Sequence, residues 1–350
     1  MNTLCFFLTF LMTICILESC TKSEDPESFK ITLRLSHVFS PKEDLAIAME
    51  DIAKNILKKT DGRVKILTYP QGQIATYKDG VEMVARGAYF ISVEDPSYIG
   101  DYSPEFSALV GPMLYKNYDE YVELTNTPLV KSWVKNLETK NIKVLSLNFI
   151  FGFRNIISNK VIKKPEDLKG VKLRTPGSQL FIKTINAMGA SATPLPWGDT
   201  FSALQQGVVD GLEGSEFTNW GTKVYETGKK NVALTNHFLG VAGAYISVDV
   251  WNKIPKLYQE VIAAEFNAGS AKLIAKLKKN HGQVIKDLES KGVIFNEVDR
   301  IAFEKKTKPV FTSVPGVTDG IYNSIINELR VIRSKTNKKL NSDIGPGHER

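Results

Sequence analysis

Two arginines offer the clearest chemistry in this chain. Arg154 stands in the run Gly152-Phe153-Arg154-Asn155-Ile156, and Arg174 in Val171-Lys172-Leu173-Arg174-Thr175-Pro176. Both sit where extended, apolar runs turn into loops. A guanidinium stays charged and presents a planar fork that matches a carboxylate in bidentate geometry. Such charge-assisted bonds are roughly twice as strong as neutral ones. An arginine at the end of a sheet strand in a cleft therefore invites an anion. The same residues could instead serve the structure, through a salt bridge to Asp167, Asp199 or Glu213, or could simply lie exposed. Spacing alone leaves both readings open.

Other chemistry is hard to assemble. The sequence has no glycine-rich phosphate loop, no H-E-x-x-H and no G-x-S-x-G. Its four histidines, His37, His237, His281 and His348, form no ligand pair at helical spacing. All three cysteines, Cys5, Cys15 and Cys20, fall at the start, which excludes a disulfide framework or a cysteine zinc site in the body of the chain. No catalytic residue, metal or cofactor is expected.

The elements that must position the arginines follow an α/β pattern. Phe29 to Leu35 alternates apolar and polar residues and reads as a strand. Ser40-Pro41 reads as a helix cap with proline at the first helical position; Leu45, Met49, Ile52, Ala53, Ile56 and Leu57 follow at helical spacing to a stop at Gly62. Val64 to Tyr69 completes a β-α-β unit, the building block of parallel sheets. A helix over Lys78 to Arg86 and a strand over Tyr89 to Val93 repeat the pattern. A second set begins after a strand at Lys143 to Phe149. It comprises strands at Val171 to Arg174, Val208 to Leu212 and Tyr245 to Val248, with helices at Ser178 to Met188 and Asp199 to Gln206. After Pro255 a helical pattern runs to about Ser290, with Gly269 and Gly282 as weak points. Ser334 to Arg350 is polar and basic and reads as a mobile tail.

At 350 residues the chain is long enough for two domains, and its apolar content is ordinary for a globular protein. The formal charge of +7 is dispersed, without the aromatic-basic interleaving of single-strand binders, so nucleic acid is not an expected partner. Thr3 to Leu17 is continuously apolar, too short to span a bilayer comfortably, and fits the core of a signal peptide. Leu17-Glu18-Ser19-Cys20 follows and resembles a bacterial lipobox, which implies a signal peptide over residues 1–19, a lipid on Cys20 and a polar tether over residues 20–28. A plain secretory signal cut nearby or an uncleaved anchor is the alternative, since no positive residue precedes the apolar run and Glu18 is unusual in the box.

Several stretches together resemble the substrate-binding subunit of TRAP transporters, the tripartite ATP-independent periplasmic secondary carriers. They are KKPEDLKGVKLRTPGS, MGASATPLPW, FSALQQGVVDGLEGSEF and, in the first half, YPQGQIA. The resemblance implies that Arg174 is the principal clamp on a solute carboxylate and Arg154 a second cation near it. It puts Trp197 in the place of an aromatic or apolar wall, and gives Glu94 and His37 places lining the cleft from the first lobe. Glu213 takes the ligand end of its motif. After that glutamate, well-known carboxylate binders often carry an asparagine; here Gly214 has no side chain. With Trp197 and the aromatics Phe149, Phe151, Phe153, Phe217 and Trp220 nearby, this points to a monocarboxylate with an apolar or aromatic body.

The fold implied is a two-lobed α/β solute-binding protein, with lobe I over residues 29–151 and 240–279 and lobe II over 152–239 and 280–333. A long helix runs along both lobes, and the cleft closes about a hinge on the ligand. Implied partners are a small organic acid, a membrane permease driven by an ion gradient and, in a subset of the family, a tetratricopeptide-repeat protein. Two other readings are an adhesin or scaffold lipoprotein on the same fold, and a two-lobed enzyme with Glu94 or Glu213 as general base.

Overall fold

The computed structural model describes residues 28–343. The apolar leader and Cys20 lie outside the described residues. Nine strands form one mixed sheet: β1 (Ile31–Ser36), β2 (Val64–Tyr69), β3 (Phe90–Glu94), β4 (Ile142–Ser158), β5 (Lys172–Thr175), β6 (Ser191–Pro194), β7 (Gly211–Gly214), β8 (Asn231–Ser247) and β9 (Ile294–Asn296). The order is β2-β1-β3-β8-β4-β7-β5-β6, with β9 on the edge of β8. The strands β2-β1-β3 at one end and β7-β5-β6 at the other are parallel sets. Between them run β8 and β4, antiparallel to each other and 17 residues long each.

These two strands join the halves of the molecule. Their pairing slips in register at four places, between Val144 and Ser146, Ser146 and Phe149, Ile150 and Gly152, and Arg154 and Ile156. Each irregularity bends the sheet and raises its local twist. Gly152 has φ 109°, and a Cβ there would come within 2.8 Å of Ser215 Cβ, so only glycine suits the bend.

The core divides accordingly. One large cluster packs Leu33, Leu35, Phe90, Tyr121, Phe149, Tyr245 and Phe266 on the β1–β3 side. Two smaller ones, around Leu212, Val232 and Leu288 and around Leu173, Ile185 and Phe303, pack the other side. Val310, Phe311, Ile325, Leu329 and Ile332 join the first cluster. The expected allotment of residues 280–333 to lobe II therefore needs correction from about residue 310 onward. There the chain returns to the first half, where Arg333 pairs with Glu120 at 2.8 Å.

The helix Lys256–Ser290 runs 35 residues and is not interrupted at Gly269 or Gly282. Gly269 instead allows close approach: a Cβ there would fall 2.5 Å from Ile52 Cδ1 on the neighbouring helix. The first helix spans Asp44–Lys59 rather than starting at Pro41. Glu43 holds the cap position, and its Oε2 accepts the Ser40 N–H at 2.8 Å. The stretch read as a mobile tail belongs, as far as Asp343, to the helix Asp319–Asp343.

Candidate functional site

The carboxyl ends of β3 and β5 face each other across a cavity. Open α/β sheets place their ligand sites at strand carboxyl ends because loops and helix termini converge there. The first half contributes Phe39, Glu43, Tyr77, Glu94, Asp95 and Tyr98 to the wall; the second contributes Arg154, Arg174, Phe181, Trp197, Glu213 and Thr218. Hydrogen bonds cross between the halves, among them two from side chains at the cleft. Tyr77 Oη accepts the Trp197 N–H at 2.9 Å, and Ser97 Oγ lies 2.9 Å from Ser178 Oγ.

Arg174 is 2 % exposed and is the last residue but one of β5. Its Nε and Nη2 both donate to the Leu195 carbonyl, at 3.0 and 2.8 Å, and the Trp197 ring lies 5.1 Å from its guanidinium carbon. No carboxylate pairs with it among the described residues. Burial holds its pKa below the ordinary arginine value, partly offset by Tyr77 and Glu213. A buried cation left this way favours an anionic partner.

Arg154 differs. It lies within β4, not at a strand end, because β4 runs on to Ser158. Its Nε and Nη2 donate to the two carboxylate oxygens of Glu213 on neighbouring β7. Burial opposes both charges, but the pairing prevails: Arg154 is held above its ordinary value and Glu213 below its own. The salt bridge that the sequence left as an alternative is thus realised for Arg154. Arg154, expected as a second cation near the ligand, does line the cavity, but its charge is neutralised by Glu213, which lines the cavity too.

Glu94 ends β3 at 3 % exposure, and its Oε1 has no hydrogen-bond partner; Tyr98 Oη is likewise buried and unpaired. Burial raises Glu94 to about 8, Glu43 to about 7 and Asp95 to about 6. The Asp95 carboxylate accepts the Ser97 N–H at 2.8 Å, capping the short helix Pro96–Ile99. Much of the acidity around the cavity is thus muted near neutral pH.

His37 is not in the cavity wall. It is 1 % exposed behind Val38 and Phe39, which line the cavity, and burial lowers its pKa to about 4, so it is neutral. Gly214 is also outside the wall. Residues alternate faces along a strand, so with Glu213 toward the cavity Gly214 faces away. A Cβ there would meet Leu212, Ile157 and Thr218 at 3.8–3.9 Å. Among the aromatics, Phe151 and Trp197 reach the cavity. Phe149 is core, Phe153 stacks on Tyr118, and Phe217 and Trp220 line a separate recess beside Leu277 and Val284. The sequence reading missed Phe39, Glu43, Tyr77, Tyr98 and Phe181. Of these, Tyr77 carried a usable signal, two residues after YPQGQIA, the loop that resembles the family.

The cavity between two sheet halves agrees with what the chain is similar to. Residues 35–314 match the model of the bacterial extracellular solute-binding proteins, family 7. A TRAP periplasmic solute-binding protein from Desulfovibrio salexigens, solved in complex with diglycerolphosphate, is 57% identical, with 89% of this chain and 100% of that chain covered and a TM-score of 0.87. A TRAP periplasmic solute-binding protein from Fusobacterium nucleatum, solved with bound sn-glycerol-3-phosphate, is 39% identical, with 87% and 99% covered and a TM-score of 0.86. The C4-dicarboxylate-binding periplasmic protein DctP of Rhodobacter capsulatus is 29% identical over 233 residues, 64% of this chain and 67% of that protein. Members of the family bind solutes for transport in the periplasm and are not enzymes. The chain belongs to the family 7 bacterial extracellular solute-binding proteins and is a substrate-binding subunit of the TRAP type.

Proposed function

We propose that this protein captures a small, singly charged, hydroxylated organic anion between its two halves and delivers it to a TRAP membrane permease. The observation that carries the reading is Arg174, a buried guanidinium with no carboxylate partner at the mouth of a parallel set of strands. One unpaired guanidinium suits one negative charge. Arg154 and Glu213 pair with each other, burial raises Glu94 and Glu43, and Arg174 is left without a paired carboxylate. A phosphate diester or a carboxylate carries one negative charge, whereas a phosphate monoester carries about −1.5 to −2 at neutral pH. The second charge would then be buried without a counterion, which is costly. The relative solved with diglycerolphosphate, a diester, supports this class.

The finer reading from the sequence, a monocarboxylate with an apolar or aromatic body, leaned on Gly214 and Trp197. Gly214 lies outside the wall and Trp197 stacks on Arg174, so that reading loses one support and keeps only part of the other. Calorimetry with diglycerol phosphate, sn-glycerol 3-phosphate, a sugar acid and an aromatic monocarboxylate tests the proposal. Tightest binding of the diester or the sugar acid is expected. Preference for the monoester would refute the charge argument, and preference for the aromatic acid would restore the earlier reading.

Anchoring through Cys20 is part of the proposal and rests on the sequence Leu17-Glu18-Ser19-Cys20 after the apolar run. Fatty-acid labelling of the wild type but not of Cys20→Ser is expected; equal labelling would remove the anchor.

A further inference from the structure

We infer that Tyr77 is the latch that couples occupancy of Arg174 to closure of the two halves. Tyr77 opens the helix Tyr77–Ala85 on the first half, with φ 54°, in the left-handed region that residues other than glycine rarely adopt. A tyrosine held there is over-determined by its surroundings. Its ring packs 5.3 Å from that of Tyr98, and its hydroxyl reaches across the cleft to accept the Trp197 N–H.

Trp197 is the first residue of a short helical turn, Trp197–Asp199, preceded by Pro196. The first N–H groups of a helix have no partner within it. The Tyr77 hydroxyl takes over that role from the opposite half. The segment it grips is tied to Arg174 twice: the guanidinium donates to the Leu195 carbonyl, and the Trp197 ring lies over it. An anion seated on Arg174 therefore acts on the same three residues, Leu195 to Trp197, that Tyr77 must find for the halves to stay shut. Burial keeps the Tyr77 hydroxyl protonated, its pKa raised above the ordinary value, so it retains a proton to donate while accepting from Trp197.

The latch rests on the capture mechanism proposed above, and the test separates the two. Ser97 and Ser178 face each other across the cleft with Oγ atoms 2.9 Å apart, so cysteines there suit a disulfide only when the halves are together. In the full chain with Cys5, Cys15 and Cys20 replaced by serine, Ser97→Cys/Ser178→Cys should oxidise at a rate that follows the closed population. Adding Tyr77→Phe should slow that oxidation about five- to ten-fold without ligand, the factor expected for one lost hydrogen bond. With diglycerol phosphate as probe and the cysteine pair absent, Tyr77→Phe should raise the dissociation rate by a similar factor and leave the association rate nearly unchanged, because the ligand enters the open form, in which the Tyr77–Trp197 bond is already apart. Equal oxidation rates in the two proteins, or a loss confined to association, would overturn the latch. If diglycerol phosphate binds neither protein, the proposed ligand class fails, while the oxidation rates still decide the role of Tyr77.

Discussion

Arg154 and Arg174 enter one cavity from strands separated only by β7, and both are buried. Arg154 is answered inside the chain by a bidentate carboxylate; Arg174 is answered by one carbonyl and the face of an indole. Their titration moves in opposite directions, Arg154 up and Arg174 down, although burial opposes the charge of both. The same residue type at the same depth is thus structural in one place and poised for a ligand in the other. What separates them is whether the fold supplies the counterion.

That contrast can be broken most severely at Arg154. Arg154→Ala leaves Glu213 buried without its partner and should lower stability by about 3–5 kcal/mol in denaturant unfolding. Arg154→Met with Glu213→Met removes both charges and should recover most of the loss. A single variant as stable as the wild type would mean the pair is not what holds β4 to β7.

At Arg174 the expected loss is in binding. Arg174→Ala should weaken the affinity for diglycerol phosphate by on the order of 2–5 kcal/mol while the melting midpoint stays the same or rises, since an uncompensated buried charge is removed. Arg174→Lys should also bind poorly, because lysine cannot reproduce the fork that holds the Leu195 carbonyl. Calorimetry showing wild-type affinity in either variant would make Arg174 structural after all.

The carboxyls opposite sharpen the comparison through pH. Glu94 and Glu43 are raised from near 4.5 to about 8 and about 7 by burial, so the folded chain binds their protons more tightly than the unfolded chain does. Their contribution to stability is complete below about pH 4.5 and is lost as pH rises through 7 and 8. The melting midpoint should fall between pH 5 and 8, and Glu43→Gln with Glu94→Gln should flatten that slope. A midpoint that rises over this range in the wild type would contradict the burial argument.

The smallest effect is expected at Gly214. A Cβ there makes only ordinary contacts, so Gly214→Ala should leave ligand affinity and selectivity unchanged in a thermal-shift panel. A shift in ligand preference would return this residue to the site.

Much of the scaffold was legible because its residues obey simple periods. β1 and β2 alternate, and the helix Asp44–Lys59 buries Leu45, Met49, Ile52 and Ile56 on one face. β8 was largely missed, with only Tyr245 to Val248 anticipated, because from Phe238 to Ser247 every residue is buried and no polar face marks the strand. β4 was cut short at Phe149 because glycine and arginine interrupt the apolar run, although it is there that the strand bends. Within the site, Arg174 could be found from its motif. The partner of Arg154 could not be chosen from spacing, because three carboxylates were equally available and only strand pairing brings Glu213 beside it. His37 and Gly214 fell outside the wall for a related reason: a motif gives a residue its place in the chain, whereas strand phase and the packing behind it decide which way it faces.

The return of Val310 to Ile332 to the first cluster bears on how the chain comes into being. Strand β1 is the first strand among the described residues, yet the cluster it belongs to is completed by residues far along the chain. Contacts so distant in sequence form slowly, because a long loop must close before they reward it. Until the segment from Val310 to Ile332 has joined it, the cluster around β1 lacks part of its packing, so this half of the molecule depends on a long-range closure that the other half does not need.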